Sequence, residues 1–243
     1  MTQLEKEKEL ARLLGGRVRL LIGQNLYIVR QPTTEERYES LLVYEEALQS
    51  ALYSNLMTEQ DIADMLEAQG IWTKEDEKKL SDISKKIENT KVEIFTNFPV
   101  KNDRERARTS LKASLSEYNS LRTRKNTNHD SSAQAYAALD RSRFLIGKTL
   151  LYKNSSQVWQ GLDYLSDNSA LLDDALKALA DTRLNETQVR IIARTDPWRS
   201  RWHARELGPL TNISVSDFSD ELLQLLSWTR LYDNINEHPD APS

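Results

Sequence analysis

The 243-residue sequence contains no cysteine, and this absence removes several kinds of chemistry at once. Without a thiol the chain forms no disulfide, binds no zinc or iron–sulfur cluster through sulfur, and carries no thiol nucleophile. Because disulfide-free chains are typical of reducing compartments, we expect synthesis in the cytoplasm.

Glycine and proline are also scarce, at 7 and 6 residues, whereas charged residues make up 29% of the chain. This balance favours helices over the turn-rich architecture of an all-β protein. The sequence lacks a run of about 18 apolar residues, as a membrane span needs, and the N-terminal stretch MTQLEKEKELARLL lacks the apolar region of a signal peptide. With 39% hydrophobic residues and a net charge of −4, the composition predicts a soluble, mainly α protein with no membrane partner.

Residues that commonly carry catalysis are few. Histidine occurs only at His129, His203 and His238. His203 precedes Glu206 by three residues, as in two-metal helical bundles, but such sites need that motif twice and further carboxylates. The glycines match neither the dinucleotide-binding nor the phosphate-loop spacing, and no Gly-x-Ser-x-Gly elbow is present. The sequence therefore predicts a non-enzymatic protein with no catalytic residue, no metal site and no cofactor.

A stretch near the N-terminus has the pattern of strands. Val18, Leu20 and Ile22 alternate within RVRLLI, and the strand-forming residues LYIVR follow the turn residues Gly23-Gln24-Asn25. We predict a β-hairpin here that lies on helices or pairs with another chain, because two strands alone are marginally stable.

Polar pairs three residues apart mark helix starts: Thr33 with Glu36, Thr58 with Asp61, Thr73 with Asp76, and Asn185 with Gln188. After the first start, six apolar residues recur at helical spacing and predict an apolar stripe on the helix: Tyr38, Leu41, Leu42, Leu48, Leu52 and Leu56. A later helix of roughly 20 residues is predicted to continue through Leu150, with Gly147 allowing a neighbour to approach closely.

The longest pattern runs from Thr73 to Lys125 and predicts two helices folded against each other. On the first, five residues recur at alternating steps of three and four, the spacing of a narrow seam: Leu80, Ile83, Ile87, Thr90 and Ile94. The pattern resumes on the second with Ala107, Leu111, Leu115, Tyr118 and either Leu121 or Arg122. Because proline cannot continue a helix, Pro99 predicts an antiparallel helical hairpin that reverses between Phe98 and Asp103.

These patterns divide the chain into three predicted segments. The N-terminal β-hairpin and its helices occupy 1–72, and the long helical hairpin occupies 73–126. A C-terminal helical body with an extended tail occupies 127–243, after a polar stretch that reads as a loop.

The second hairpin arm carries a candidate basic patch: Arg104, Arg108, Lys112, Arg122 and Arg124. A row of this kind suits a phosphate backbone. The first arm is rich in acidic residues, however, and the chain has a pI of about 5.6, so a cross-paired, solvated hairpin is the preferred interpretation.

A second candidate interaction surface lies in the segment RTDPWRSRWHAR, residues 194–205: Trp198, Arg199, Arg201, Trp202 and Arg205. The two tryptophans lie four residues apart and share one helix face. Trp and Arg are enriched at interface hot spots, and they also anchor helices in small cores. The sequence therefore leaves interface and core open for this segment.

Four stretches carry a resemblance to a known family: YIVRQPTTEERYES, EAQGIWTKEDEKKL, ARTDPWRSRW and LLSWTRLYDNINEHPDAPS. They are similar to helical virion and tail-assembly proteins of large contractile-tailed bacteriophages. The resemblance implies a tail-assembly chaperone or minor virion component, with other phage virion or assembly proteins, or further copies of the chain, as partners. It also implies a location in the cytoplasm of the infected host cell or in the virion. The alternative is a nucleic-acid-associated or host-directed binding protein that uses the basic arm, with nucleic acid the less favoured partner.

Overall fold

The computed structural model describes residues 1–96, 100–167, 170–204 and 218–236. Within these ranges it has a three-stranded antiparallel sheet and ten α-helices, which confirms the predicted mainly α class. The strands are β1 (Arg17–Ile22), β2 (Asn25–Arg30) and β3 (Leu150–Tyr152). The helices are α1 (Gln3–Gly15), α2 (Thr34–Tyr53), α3 (Glu59–Ala68), α4 (Lys74–Thr96), α5 (Lys101–Lys125), α6 (Ala133–Thr149), α7 (Leu171–Asp181), α8 (Glu186–Ala193), α9 (Trp198–His203) and α10 (Asp220–Asn236). The predicted extended tail lies outside the described residues.

The predicted helix starts are confirmed as reciprocal caps. At the start of α2, Thr33 N–H donates to Glu36 Oε2 (2.8 Å), and Glu36 N–H donates to Thr33 Oγ1 (3.2 Å). The same exchange opens α3, α4 and α8. Each pair satisfies backbone donors that a helix start leaves without partners.

The predicted β-hairpin is confirmed, with a two-residue turn in which Gly23 has a φ of +59°. The prediction that the later helix continues through Leu150 is wrong. α6 ends at Thr149, and β3 pairs antiparallel with β2, placing Tyr152 opposite Tyr27. The extended backbone buries Leu150 on one sheet face and Leu151 on the other, which a helix would not do.

The helical hairpin is also confirmed. α4 ends at Thr96 and α5 begins at Lys101, so the reversal falls between them. Part of the predicted turn, Phe98 and Pro99, lies outside the described residues. Glu77, near the start of α4, pairs with Lys125 at the end of α5 (2.8 Å), which shows that the two arms run antiparallel.

The hairpin seam follows the predicted residues on α4, where Ile83, Ile87 and Thr90 are buried. On α5 one predicted position is wrong, because Leu115 is 40% exposed while Ser114 is buried. The alternating three-and-four spacing that begins at Ala107 arrives at position 114, so the leucine falls one residue off the seam.

Two compact units form, one from Met1–Val43 with Asp140–Ser243 and the other from Tyr44–Leu139. We call them unit 1 and unit 2. This division differs from the three segments predicted at 1–72, 73–126 and 127–243. In unit 2, Leu66 of α3 and Trp72 pack with the hairpin seam. In unit 1, Leu10 of α1 packs with Trp198 and with Leu225 of α10.

A second cluster of unit 1 packs the sheet against α6 and α7, and Gly147 lies within it. A Cβ added at Gly147 would lie 2.5 Å from Tyr164 Cδ1 and 2.6 Å from its Cγ. The prediction of a close approach at this glycine is therefore confirmed.

We predict that Gly147→Ala lowers the free energy of unfolding by about 1–3 kcal/mol, because the new methyl group must displace a packed ring. Chemical denaturation measures this change. Gly15→Ala is the matched control, since Gly15 is also helical but has open space around it. The control variant should be as stable as the parent or slightly more stable. A Gly147→Ala protein with parental stability would contradict the packing described here.

Candidate interaction surfaces

Trp198 belongs to the core of unit 1. It begins α9 and is fully buried, with 0% of its surface exposed. Its Nε1 donates to Thr229 Oγ1 of α10 at 2.7 Å, so the polar atom of the ring is satisfied inside the core. Trp202 follows one turn later and is half-buried, with its ring centroid 5.9 Å from that of Trp198.

A polar cluster holds the other side of α9 to α10. Trp202 Nε1 donates to Asp233 Oδ2 (2.7 Å), and Arg199 Nη1 lies 2.6 Å from Asp233 Oδ1. Burial acts to raise the pKa of Asp233, but Arg199 and Trp202 outweigh it, so this pKa is lowered. Three of the predicted site residues therefore hold two helices together within the protein.

The remaining two residues of that candidate surface are not brought into the cluster. Arg201 is exposed. Arg205 lies outside the described residues. Arg199 also donates through Nη2 to Nε2 of the exposed His203 (2.9 Å). As described, the segment offers a partner little beyond Arg201, His203 and the exposed part of Trp202.

We predict that Trp198→Ala costs about 3–5 kcal/mol of stability, through lost burial and the cavity left behind. Thermal unfolding followed by circular dichroism measures it. Arg201→Ala on the same helix is the control and should change stability by less than about 0.5 kcal/mol. A Trp198→Ala protein that melts like the parent would show that this ring is not part of the core.

A partly buried ion pair joins α1 to α10 in the same cluster. Arg12 donates to both carboxylate oxygens of Glu221, at 2.7 and 3.0 Å, and Leu184 N–H donates to Glu221 at 2.7 Å. Burial acts to raise the pKa of Glu221, but these donors outweigh it and the pKa is lowered. The folded protein therefore stabilises the ionised form of the Glu221 carboxylate.

Because of this ion pair, we expect the stability cost of substituting Glu221 to depend on pH. Because the folded pKa of Glu221 lies below the unfolded pKa, its stabilisation is complete at neutral pH and is lost as the pH falls through the folded value. Glu221→Gln should cost about 2 kcal/mol at neutral pH. This difference from the parent should shrink steadily below about pH 4 in urea titrations. Glu117→Gln, which breaks an exposed pair with Lys79, is the control and should cost less than about 1 kcal/mol. If the stability difference between Glu221→Gln and the parent stayed constant below pH 4, the lowered pKa of Glu221 would be contradicted.

The basic arm is only partly available to a partner. Arg124 pairs with Asp76 and lies over the ring of Trp72, 5.3 Å from its centroid. Trp72 Nε1 in turn donates to Glu77, the partner of Lys125. The base of the hairpin therefore uses cations of α5 for its own cohesion, as the cross-paired interpretation predicts.

Other members of the candidate basic patch lie elsewhere along α5. Arg104 is partly buried, and the exposed Arg108 pairs with Glu105 one turn earlier (2.8 Å). Lys112 and Arg122 are exposed. The patch is thus a loose row along one arm, with Arg124 separated from it.

Most of the apolar stripe predicted for α2 is exposed in the structure. Tyr38 is 63% exposed and Tyr53 is 87% exposed, while Leu41, Leu42 and Leu52 are 38–44% exposed. We call these five residues the α2 stripe. The helix instead buries the opposite side, which carries small residues: Ser40, Ala47 and Ala51. Leu48 and Leu56, also predicted on the stripe, are partly buried.

A signal for this arrangement exists in the sequence, although the larger side chains obscure it. Ser40, Ala47 and Ala51 are spaced by seven and four residues, so they share one helix face. Small residues at such spacing let another element approach the backbone closely. α2 is therefore apolar on two sides, and only one of them is covered.

Across the described ranges, no three His, Asp or Glu side chains gather in a way that would hold a metal ion. None of the helices in those ranges is long and apolar enough to cross a membrane.

Comparison with protein-family models, curated proteins and solved structures finds no match to this chain.

Proposed function

We propose that this protein is a non-enzymatic bacteriophage virion assembly or structural protein that acts through protein–protein contacts. It would serve as a tail-assembly chaperone or as a minor component of the virion. The observation that carries the proposal is the α2 stripe. The resemblance to helical proteins of contractile-tailed phages supplies the biological setting.

The stripe supports a binding role because large apolar side chains are grouped on one side of the same helix. Scattered exposed leucines are normal on a soluble protein, but exposed apolar side chains that are grouped together mark an interaction site. These five side chains lie along one side of a single 20-residue helix, over about 22 Å at 1.5 Å per residue. Covering a half-exposed leucine contributes about 1 kcal/mol, so several covered together support a stable contact.

We predict that Leu42→Ser combined with Leu52→Ser lowers capture of phage virion proteins by about thirtyfold, the equivalent of about 2 kcal/mol. The measurement is affinity capture from infected cells, with the captured proteins identified as virion or assembly proteins by mass spectrometry. Both leucines are already exposed, so the melting temperature should stay near that of the parent.

Leu115→Ser is the matched control, because Leu115 is a helical leucine with 40% exposure, close to the leucines of the stripe. It should leave capture unchanged. Equal capture by the stripe variant and the parent would overturn the proposed function. Mass spectrometry of purified particles then separates a minor virion component, which stays in the particle, from an assembly chaperone, which does not.

The α5 helix supports a second candidate, a nucleic-acid-associated or host-directed protein. It carries eight Lys or Arg residues and three Asp or Glu residues in an otherwise acidic chain. Phosphate contacts lose affinity steeply between about 50 and 200 mM salt, whereas an apolar protein contact does not. Binding that collapses over this range would favour the basic arm over the α2 stripe.

A further inference from the structure

The exposed side of α2, which carries the α2 stripe, has the residue spacing of a specific contact between two helices. Five exposed residues recur at steps of four, three, four and three, the seam of a two-helix coiled coil: Tyr38, Leu42, Glu45, Gln49 and Leu52. The seam is apolar near both ends, and its two polar residues lie together in the middle. The order of apolar and polar residues along the seam is therefore nearly the same in both directions.

We propose that the α2 stripe of one copy packs antiparallel against the α2 stripe of a second copy of this chain. The inference rests on the proposed function, since it names a partner for the same surface. The two-fold axis would pass beside residue 47. Leu42 of each copy then faces Leu52 of the other, and Leu48 lies beside its own counterpart near the axis.

The polar residues of the seam select this arrangement. In the antiparallel register Glu45 of each copy faces Gln49 of the other, so a carboxylate meets an amide that can donate to it. In a parallel pair Glu45 would face Glu45 at the same level of the seam, and two like charges would be partly desolvated together. Glu46 approaches its counterpart in the antiparallel pair, but at the solvent-exposed edge, where repulsion is screened.

The area of the stripe fits a weak, specific dimer. Its five side chains expose on the order of 500 Å² per copy, so a pair would bury about 1,000 Å², near the lower limit for a specific interface. A two-fold contact uses the same patch on both copies and closes on itself. We therefore expect dimers with a Kd in the micromolar range, and no filaments.

The test is the oligomeric state of the purified full chain, measured by sedimentation equilibrium from about 1 to 200 μM, a range that brackets a micromolar Kd. The parent should pass from monomer to dimer. Leu42→Ser with Leu52→Ser should raise the Kd by about a thousandfold, because each substitution acts twice in a symmetric pair. Leu115→Ser, the control on α5, should dimerise like the parent.

A charge exchange tests the register itself. Gln49→Glu places a carboxylate opposite Glu45 in both halves of the dimer and should raise the Kd by about tenfold. Adding Glu45→Lys to that variant places a lysine opposite each new carboxylate and should restore dimerisation. Failure of this restoration would overturn the antiparallel register.

The outcomes also separate this inference from the proposed function. A chain that stays monomeric throughout the range, or a dimer unaffected by the leucine substitutions, overturns self-association. If virion proteins are still lost from the leucine variant in that case, the stripe binds a different protein and the proposed function stands. If their capture is unchanged, the proposed function fails as well.

Discussion

A helix of ordinary length is barely stable in water until one of its faces is covered, and this chain has no disulfide to compensate for an uncovered face. Its described helices depend on burying apolar side chains in three clusters. Around Trp198, for example, helices from both ends of unit 1 share a single core. The polar contacts of Arg12, Glu221 and Asp233 orient helices that burial already holds.

α2 also has one face covered, but the covered face is the one that carries small side chains. It buries Ser40, Ala47 and Ala51 and leaves the five larger side chains of the α2 stripe exposed. Small residues permit close packing of backbones but remove little apolar surface from water. Folding of the single chain therefore leaves much of the hydrophobic driving force of this helix unused, and association with another molecule can draw on it.

The charged side chains of the long hairpin pair differently at its base and farther along its arms. Near the base, Arg124 and Lys125 meet Asp76 and Glu77 across the two arms and enclose the ring of Trp72. Farther along α5, Arg108 pairs with Glu105 of its own helix. Most of the cohesion between the arms away from the base comes from the apolar seam.

Local chemistry in the sequence was sufficient to predict much of this fold. The capping pairs that begin with Thr33 and Thr58 act over three residues, and Gly147 marks a close contact because glycine leaves space for one. β3 depended on pairing with a distant strand, which local spacing does not reveal. The α2 stripe showed amphipathicity, but a sequence pattern does not say which molecule covers the apolar side. Trp198 and Trp202 were open to two interpretations because cores and interfaces use the same residue types.

The division of the chain into two units affects the order in which its parts can form during synthesis. Unit 2 is one continuous stretch, so all of its residues have left the ribosome once position 139 has emerged. Unit 1 joins Leu10 to Leu225 and must wait for nearly the whole chain. During translation the N-terminal helix and β-hairpin therefore stay exposed to chaperones and proteases while the helical hairpin is already able to fold.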